Sequence, residues 1–321
     1  MNSSTIHIAL TFDQNYLTPF FVVLTSVFSN NPASRIHVHA IATGLSSAEK
    51  NRINAFVQQN RGEVFFYEIK HEQVQHLMIP KNSHLSAAMY YRLFLPFLVP
   101  EQIGKLLYLD TDIVVIGSLR ELYDTNLNHL SFGAIPEISA TKNRPDLGIY
   151  EENIYFNSGV LLMNIAEWKE QRITEKTLQY IHDYPNKLIY PDQDALNVIA
   201  ENNYFKLDGK YNVLPFDIPE YLPTSKYKDF LKDKVIMHYT LKEYKPWSIL
   251  STHHFSYLYK IYFDKSPQAN EKMYTDVEMT PRFMLRLAKA RIKPIRRKFS
   301  KIDQTLLKLK ILLQSLWLFE L

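Results

Sequence analysis

Two aspartates separated by one residue, Asp110 and Asp112, stand between the apolar runs Lys105–Leu109 and Ile113–Val115. In an extended chain, residues i and i+2 share a face, so both carboxylates can reach one cation and the phosphates it bridges. Hard oxygen donors suit Mg²⁺ or Mn²⁺, and such a cation stabilises a diphosphate as a leaving group. The competing reading is an acidic strand-end turn that caps a neighbouring helix. The flanking apolar runs favour the first reading, because they fix the acids at the carboxyl edge of a sheet, where ligands bind in open α/β folds. His238 follows the short run Val235–Met237 and can complete an Asp, Asp, His set. Mn²⁺ accepts imidazole more readily than Mg²⁺ does, so the histidine tilts the choice of metal. A half-buried histidine bonded to backbone explains the same residue equally simply.

Asp192, Gln193 and Asp194 follow Pro191 at a predicted helix start. Capping and the helix dipole account for at least one of these acids, and three adjacent polar groups can also grip sugar hydroxyls. Lys245-Pro246-Trp247 sets a cation beside a rigid ring and a large aromatic. Lysine serves as a point charge on phosphate, and Trp247 can simply pin its loop to the core. Arg92 is a second phosphate or carboxylate partner, or one half of a surface salt bridge. His253 and His254 read as ordinary surface residues of a helix.

The elements that must carry these groups alternate. Strands are expected at Ile6–Leu10, Arg35–Ala42, Glu63–Ile69, Lys105–Leu109, Ile113–Val115, Ser131–Ala134, Tyr155–Asn164 and Val235–Met237. Helices are expected from Pro19 to Phe28 and from Ser46 to Asn60, the latter with Glu49 completing a capping box. Others are expected over Ser83–Phe94, Ala166–Tyr184, Pro191–Ala200 and Ile249–Tyr262. Residues 137–153 and 208–230 read as loops. This alternation predicts an α/β fold with helices on the faces of a sheet.

Composition agrees. The 321 residues are 46% hydrophobic and 13% aromatic, which excludes a disordered chain. Cysteine is absent, so disulfides and thiolate metal sites are excluded. Eight glycines against 16 prolines argue against Gly-rich nucleotide loops. No secretory leader or charge-free stretch of membrane-spanning length is expected. The formal charge of +4 is unevenly spread. Between Arg282 and Lys310 stand 11 Lys or Arg residues and one acid, whereas residues 1–281 carry 26 basic and 31 acidic residues. A uniformly basic nucleic-acid binder would look different, and no nucleic-acid partner is expected.

Taken together, six segments resemble glycosyltransferase family 8, the retaining group that includes bacterial lipopolysaccharide galactosyl- and glucosyltransferases. They are Asp13-Gln14-Asn15-Tyr16, Tyr90-Tyr91-Arg92-Leu93, Leu107-Tyr108-Leu109-Asp110-Thr111-Asp112, Tyr155 through Asn164 with Asn157-Ser158-Gly159, Asp192 through Asn197, and His238-Tyr239 with Lys245-Pro246-Trp247. They occur in family order over about residues 5–262. The resemblance implies a GT-A fold, a Rossmann-like mixed sheet flanked by helices, that binds a UDP-sugar. It implies Asp110, Asp112 and His238 as ligands of Mn²⁺, with Mg²⁺ as the alternative. Asp13 and Asn15 would lie by the uridine and ribose, and Thr111 would belong to the same nucleotide-binding set. Arg92, Asn157, Asp192 and Gln193 would surround the donor sugar, with Gln193, Asp192 and Asn157 nearest the chemistry. Lys245 would meet the diphosphate. Two departures stand out. The family often has a glycine between its histidine-tyrosine pair and its Lys-Pro-Trp, and Thr240–Tyr244 contains none. Glu137 stands where the galactosyltransferase pattern has aspartate, which leaves UDP-glucose and UDP-galactose both open as donors.

The expected reaction is transfer of a hexose from UDP to a hydroxyl of a lipopolysaccharide-core or related glycan, with retention. A protein or capsule glycan acceptor, and a non-catalytic carbohydrate-binding scaffold, are the alternatives. The expected organisation is a catalytic domain, 1–265, followed by a basic, hydrophobic tail, 266–321. In the tail, Pro294 is expected to break any continuous helix, and leucines dominate from Asp303 onward. Such a tail suits an anionic membrane surface, placing the protein in the cytoplasm, peripherally on the inner face of the cytoplasmic membrane. A terminal hairpin docked on the body is the other reading.

Overall fold

The computed structural model describes residues 5–69, 77, 87–137, 144–150, 154–274, 276–278 and 280–298. Parts of three expected features therefore lie outside the described residues: 83–86 of one helix, 138–143 and 151–153 of one loop, and the leucine-rich segment from Asp303.

Seven strands form the main sheet in the order β3-β2-β1-β4-β7-β6-β8. They are β1 (Ile6–Asp13), β2 (Ile36–Thr43), β3 (Glu63–Tyr67), β4 (Lys105–Leu109), β6 (Phe132–Pro136), β7 (Phe156–Asn164) and β8 (Phe205–Lys206). The first three and β4 run parallel, and β7 is antiparallel to both β4 and β6. A separate two-stranded sheet pairs β5 (Ile113–Val115) with β9 (Ile236–His238).

Both faces of β1 are covered, which explains its near-continuous apolar sequence. Ile6, Ile8, Leu10 and Phe12 pack with Phe20, Phe21, Leu24 and Val27 of α1 (Leu17–Asn30) and with Ile53 and Val57 of α2 (Ser47–Gln59). On the other face, Ala9 joins Tyr108, Leu161 and Met163 beneath α3 (Ile165–Glu170), α4 (Ile173–Asp183) and α5 (Pro191–Ala200). Each fully buried phenylalanine contributes about 1.5–3 kcal/mol. A third cluster sets Val114, Met237 and Tyr239 against Phe255 and Tyr259, the latter in α6 (Ser256–Phe263). The capping box at Ser46 and Glu49 forms as the sequence predicts.

Several boundaries differ from expectation. The single helix expected over Ala166–Tyr184 is two, because Arg172 takes φ 56° and turns the chain between α3 and α4. The helix expected to end before Pro96 is broken instead into Ala88–Tyr91, a 3₁₀ turn at Arg92–Phe94 and a new helix, Leu95–Leu98, with Pro96 in its first turn. There the missing N–H has no helical partner to lose. His253 is not a surface helical residue. It is buried before α6, edge-on to Tyr239, and its Nδ1 accepts from the Phe255 N–H. Pro294 does not break the terminal helix, α7 (Pro281–Lys298), which runs through it. An interior proline removes one backbone hydrogen bond and can bend a helix without ending it.

The chain after α6 packs back on the body. The Arg52 guanidinium donates to Gln268 Oε1 at 3.2 Å, and Asp276 accepts from the Ser248 hydroxyl and the Ile249 N–H. Phe283 anchors the start of α7.

Candidate active site

The site forms where the strand ends converge. β4 stops at Leu109, and Asp110–Asp112 make a turn rather than the extended segment expected, before β5 begins at Ile113. The antiparallel register of β5 with β9 sets His238 directly opposite Ile113, and the Tyr239 N–H donates to the Asp112 carbonyl at 2.9 Å. Residues 125 positions apart are thereby fixed side by side. His238 Nε2 lies 3.1 Å from Asp112 Oδ1 and 3.8 Å from Asp110 Oδ2. One ligand atom from each of the three lies within 4.8 Å of the others.

The surroundings of this triad suit a divalent cation. Two carboxylates and an imidazole are a borderline-hard donor set. Gly159, on the neighbouring strand, leaves room for them: a Cβ there would overlap the His238 ring and lie 2.7 Å from Asp110 Oδ2. Burial opposes ionisation of Asp112, yet Lys245 and His238 together hold its carboxyl well below the usual carboxylate range. The Lys245 ammonium forms an ion pair with Asp112 Oδ2, so a positive group of the chain itself already faces the same place.

Arg92 ties the triad to the next pair of acids. It is buried, and its guanidinium donates to the Ser158 carbonyl at 2.7 Å, the Ser158 hydroxyl at 2.9 Å and Asp110 Oδ1 at 3.0 Å. It also pairs with Asp192 at 3.0 Å and lies 4.5 Å from the centre of the Tyr108 ring. Burial pushes the Asp192 carboxyl up, and Arg92 opposes that shift. Tyr108 donates to Asp110 Oδ1 at 2.7 Å.

Helix α5 presents Asp192 and Gln193 because Asn197, one turn later, clamps it to β7. Its amide oxygen accepts from the Phe156 N–H and its nitrogen donates to the Phe156 carbonyl. Gln193 Oε1 accepts from Asn157 Nδ2 at 3.0 Å and from the Ser158 N–H at 3.1 Å, while its Nε2 donates to the Tyr155 hydroxyl. Tyr155 in turn donates to Asp194. Asp194 is fully buried, bonded also to Arg144 and to the Ile189 and Tyr190 N–H groups, and serves the loop before α5.

These groups face one cavity of about 630 Å³. Arg92, Asp110, Asp112, Asn157, Asp192, Gln193, His238 and Lys245 all line it. Asp13, Asn15 and Thr111 do not. Asp13 sits at the end of β1 and accepts from the Asn15 N–H at 2.9 Å, Asn15 is exposed, and Thr111 is buried between the two aspartates. Trp247 both lines the cavity and pins its loop, meeting Tyr16 edge-on and packing against Tyr259. Glu137 belongs to the wall, as do Ile189, Tyr190 and Phe216, which form an exposed apolar rim.

Sequence reasoning missed Tyr16 as a wall residue, and it missed Tyr155, Asn212 and Arg144 as supports. Asn212 lies in the irregular 208–230 segment, where no periodicity marks one polar residue above another. Leu241 is a different case. It takes φ 66° and ψ 145°, a conformation that favours glycine and costs other residues about 1–3 kcal/mol. The backbone here keeps a glycine-like shape without the glycine.

Residues 7–250 match the family described as Glycosyl transferase family 8. General stress protein A of Bacillus subtilis (strain 168) is 26% identical over 258 residues, covering 77% of this chain and 89% of that protein. Lipopolysaccharide 1,2-glucosyltransferase of Escherichia coli (strain K12) is 28% identical over 272 residues, covering 83% and 79%. The crystal structure of the galactosyltransferase LgtC with donor and acceptor sugar analogues gives a TM-score of 0.70 at 24% identity, covering 88% of this chain and all of that one, a likeness of GT-A-like fold. A match spanning most of the chain shows that it belongs to glycosyltransferase family 8 and is an enzyme of that family.

Proposed function

We propose that this enzyme is a retaining hexosyltransferase that moves glucose or galactose from its UDP-sugar to a hydroxyl of a lipopolysaccharide-core or related glycan, forming an α-glycosidic bond. The observation that carries the reading is the meeting of Asp110, Asp112 and His238 with Arg92, Asp192, Gln193 and Lys245 around one cavity. Family membership supports the reaction class. The glucosyltransferase and galactosyltransferase names among its relatives support either hexose, and the lipopolysaccharide in the Escherichia coli relative's name supports the acceptor.

In this reading Asp110, Asp112 and His238 hold Mn²⁺, or Mg²⁺ in its place. Bound there, the cation would neutralise the diphosphate and make UDP a better leaving group. Lys245 adds a point charge for the same phosphates. By the family resemblance Asp13, Asn15 and Thr111 serve the nucleotide from outside the lining of this cavity, and Arg92, Asn157, Asp192 and Gln193, which line it, surround the sugar. Retention proceeds by attack from the leaving-group side. Gln193 supports this, since its carbonyl oxygen is already engaged by two donors. Asp192 supports it too, since Arg92 holds its carboxyl. Gln193 is an amide and a poor nucleophile, and Asp192, paired with Arg92, is not free to act as the carboxylate nucleophile that retaining glycosidases use.

Residues 1–265 form the catalytic domain and 266–321 the tail, whose first part packs on the body and whose remainder meets an anionic membrane surface from the cytoplasmic side. No helix among the described residues is long and apolar enough to cross a membrane. Met284, Leu285 and Ile292 of α7 are exposed beside Arg282, Arg286 and Lys289, which supports an interfacial position.

The test is UDP release from UDP-glucose and UDP-galactose in separate reactions with Mn²⁺, using wild type and Asp112→Ala. Release from one donor, lost in the variant, establishes the transferase reading and names the sugar. Turnover of neither donor, with or without a glycolipid acceptor, would contradict it.

A further inference from the structure

We propose that Asn212 is a positioning residue: it aims the Nε2 edge of His238 at Asp110 and Asp112 and joins that edge to the amides facing the donor pocket. The inference rests on the reading of His238 as a metal ligand.

Asn212 is 1% exposed, and both hydrogen bonds of its side chain go to groups of the site. Its Oδ1 lies 2.9 Å from His238 Nδ1, and its Nδ2 donates to Asn157 Oδ1 at 3.0 Å. The polarity of this arrangement is dictated by backbone. The Gly159 N–H donates to Asn157 Oδ1 at 3.0 Å, and the Ser158 N–H donates to Gln193 Oε1 at 3.1 Å. Both oxygens are therefore acceptors, and Asn157 Nδ2 must point to Gln193. Asn212 must then turn its Nδ2 to Asn157 and its Oδ1 to His238. An acceptor at Nδ1 requires the proton there, and Nε2 is left to face the carboxylates.

Chain register makes this reach possible. Val213, next to Asn212, bridges Met237 in parallel, and its carbonyl accepts from the His238 N–H at 3.0 Å. Asn212 and His238 thus stand on adjacent chains of one ladder. The consequence is a single row of oriented groups from His238 through Asn212 and Asn157 to Gln193, linking the metal side of the pocket to its sugar side.

The test compares the full-length wild type with Asn212→Leu and Asn212→Asp. One readout is the Mn²⁺ Kd without nucleotide, from the electron paramagnetic resonance of free Mn²⁺. The other is kcat for UDP release from UDP-hexose. Asn212→Leu leaves Nδ1–H without an acceptor and should raise the Mn²⁺ Kd about 10–100-fold. Asn212→Asp keeps that acceptor, so its Mn²⁺ Kd should stay within about threefold of wild type. Its carboxylate meets Asn157 Oδ1, however, and kcat should fall about tenfold. A merely structural role would move both readouts together in both variants. Wild-type Mn²⁺ affinity in Asn212→Leu, or equal loss of Mn²⁺ in both variants, overturns the proposal. Should Asn212→Leu fail to fold by circular dichroism, Asn212→Asp decides alone: retained Mn²⁺ affinity with lowered kcat supports the role, and any other pattern overturns it. A wild type that binds no Mn²⁺ overturns the metal reading and this role with it, a result distinct from variants that simply match wild type.

Discussion

Imidazoles stand near both ends of the parallel strands, and the two ends treat them differently. At the amino-terminal end, His7, His37 and His39 gather on one face of β1 and β2. His7 Nδ1 is 3.0 Å from His39 Nε2, whose other nitrogen is 2.8 Å from the Tyr67 hydroxyl. Burial pushes His7 down to about 4, with His37 adding to the shift, and His39 down to about 3, with both neighbours adding; burial pushes Tyr67 up to about 12. These groups are neutral; His7, His39 and Tyr67 satisfy one another, while His37 Nε2 lies 3.7 Å from Glu63 with no hydrogen-bond partner among the described residues. At the carboxyl end, Asp112 is held ionised by Lys245 and His238, and Arg92 bridges two acids. Paired neutral groups are cheap to bury, whereas buried ions cost several kcal/mol each to desolvate. A histidine cluster alone therefore marks nothing. Ionised groups held together along the wall of a cavity mark a site.

Substitutions can sharpen or break this contrast. The largest effect on activity is expected at Asp112→Asn, which should lower UDP release about 10²–10³-fold while leaving circular dichroism unchanged. A comparable loss from His39→Gln would erase the distinction between the two ends. Next comes Arg92→Lys. A single ammonium cannot reach Asp110, Asp192 and Ser158 together, and breaking such a buried network costs about 3–5 kcal/mol. Urea unfolding should show that loss, and an unaltered midpoint would mean the acids find other partners. Gly159→Ala should weaken Mn²⁺ binding about tenfold, because the added methyl enters the space between His238 and Asp110. Calorimetry of Mn²⁺ binding reads this directly.

The smallest effect is a slope. The unfolded imidazoles take up protons near 6.5, while folded His7 and His39 resist until about 4 and about 3. The unfolded state binds more protons in that window, so stability should fall as pH drops below 6.5 toward those values. His39→Gln should flatten the fall without changing UDP release at neutral pH. An equally steep fall in the variant would assign it elsewhere.

Local rules made much of this legible in advance. Apolar runs bounded by turn residues located β1, β2, β4 and β7, and the Ser46–Glu49 pair located α2 to within a residue. Asp110, Asp112 and His238 were visible because each borders an apolar run, and strand pairing did the rest. What stayed hidden depends on tertiary context. The break at Arg172 needs a left-handed residue that no glycine announces, and Pro294 stays inside its helix. Asn212 acquires its role from two neighbours that sequence places 26 and 55 residues away. The amino-terminal histidines show the reverse hazard: the spacing of His37 and His39 puts both on one strand face, yet they meet an aromatic wall, with His39 stacked on Phe65.

The proposed function makes the carboxyl end of the sheet a metal-dependent nucleotide-sugar site. Titrating UDP into the wild type with and without Mn²⁺, beside Asp112→Asn, tests it most directly. Mn²⁺ should tighten UDP binding at least about tenfold, several kcal/mol of charge stabilisation being available from such a cation, and Asp112→Asn should abolish the gain. UDP binding that is indifferent to Mn²⁺ in the wild type would contradict it.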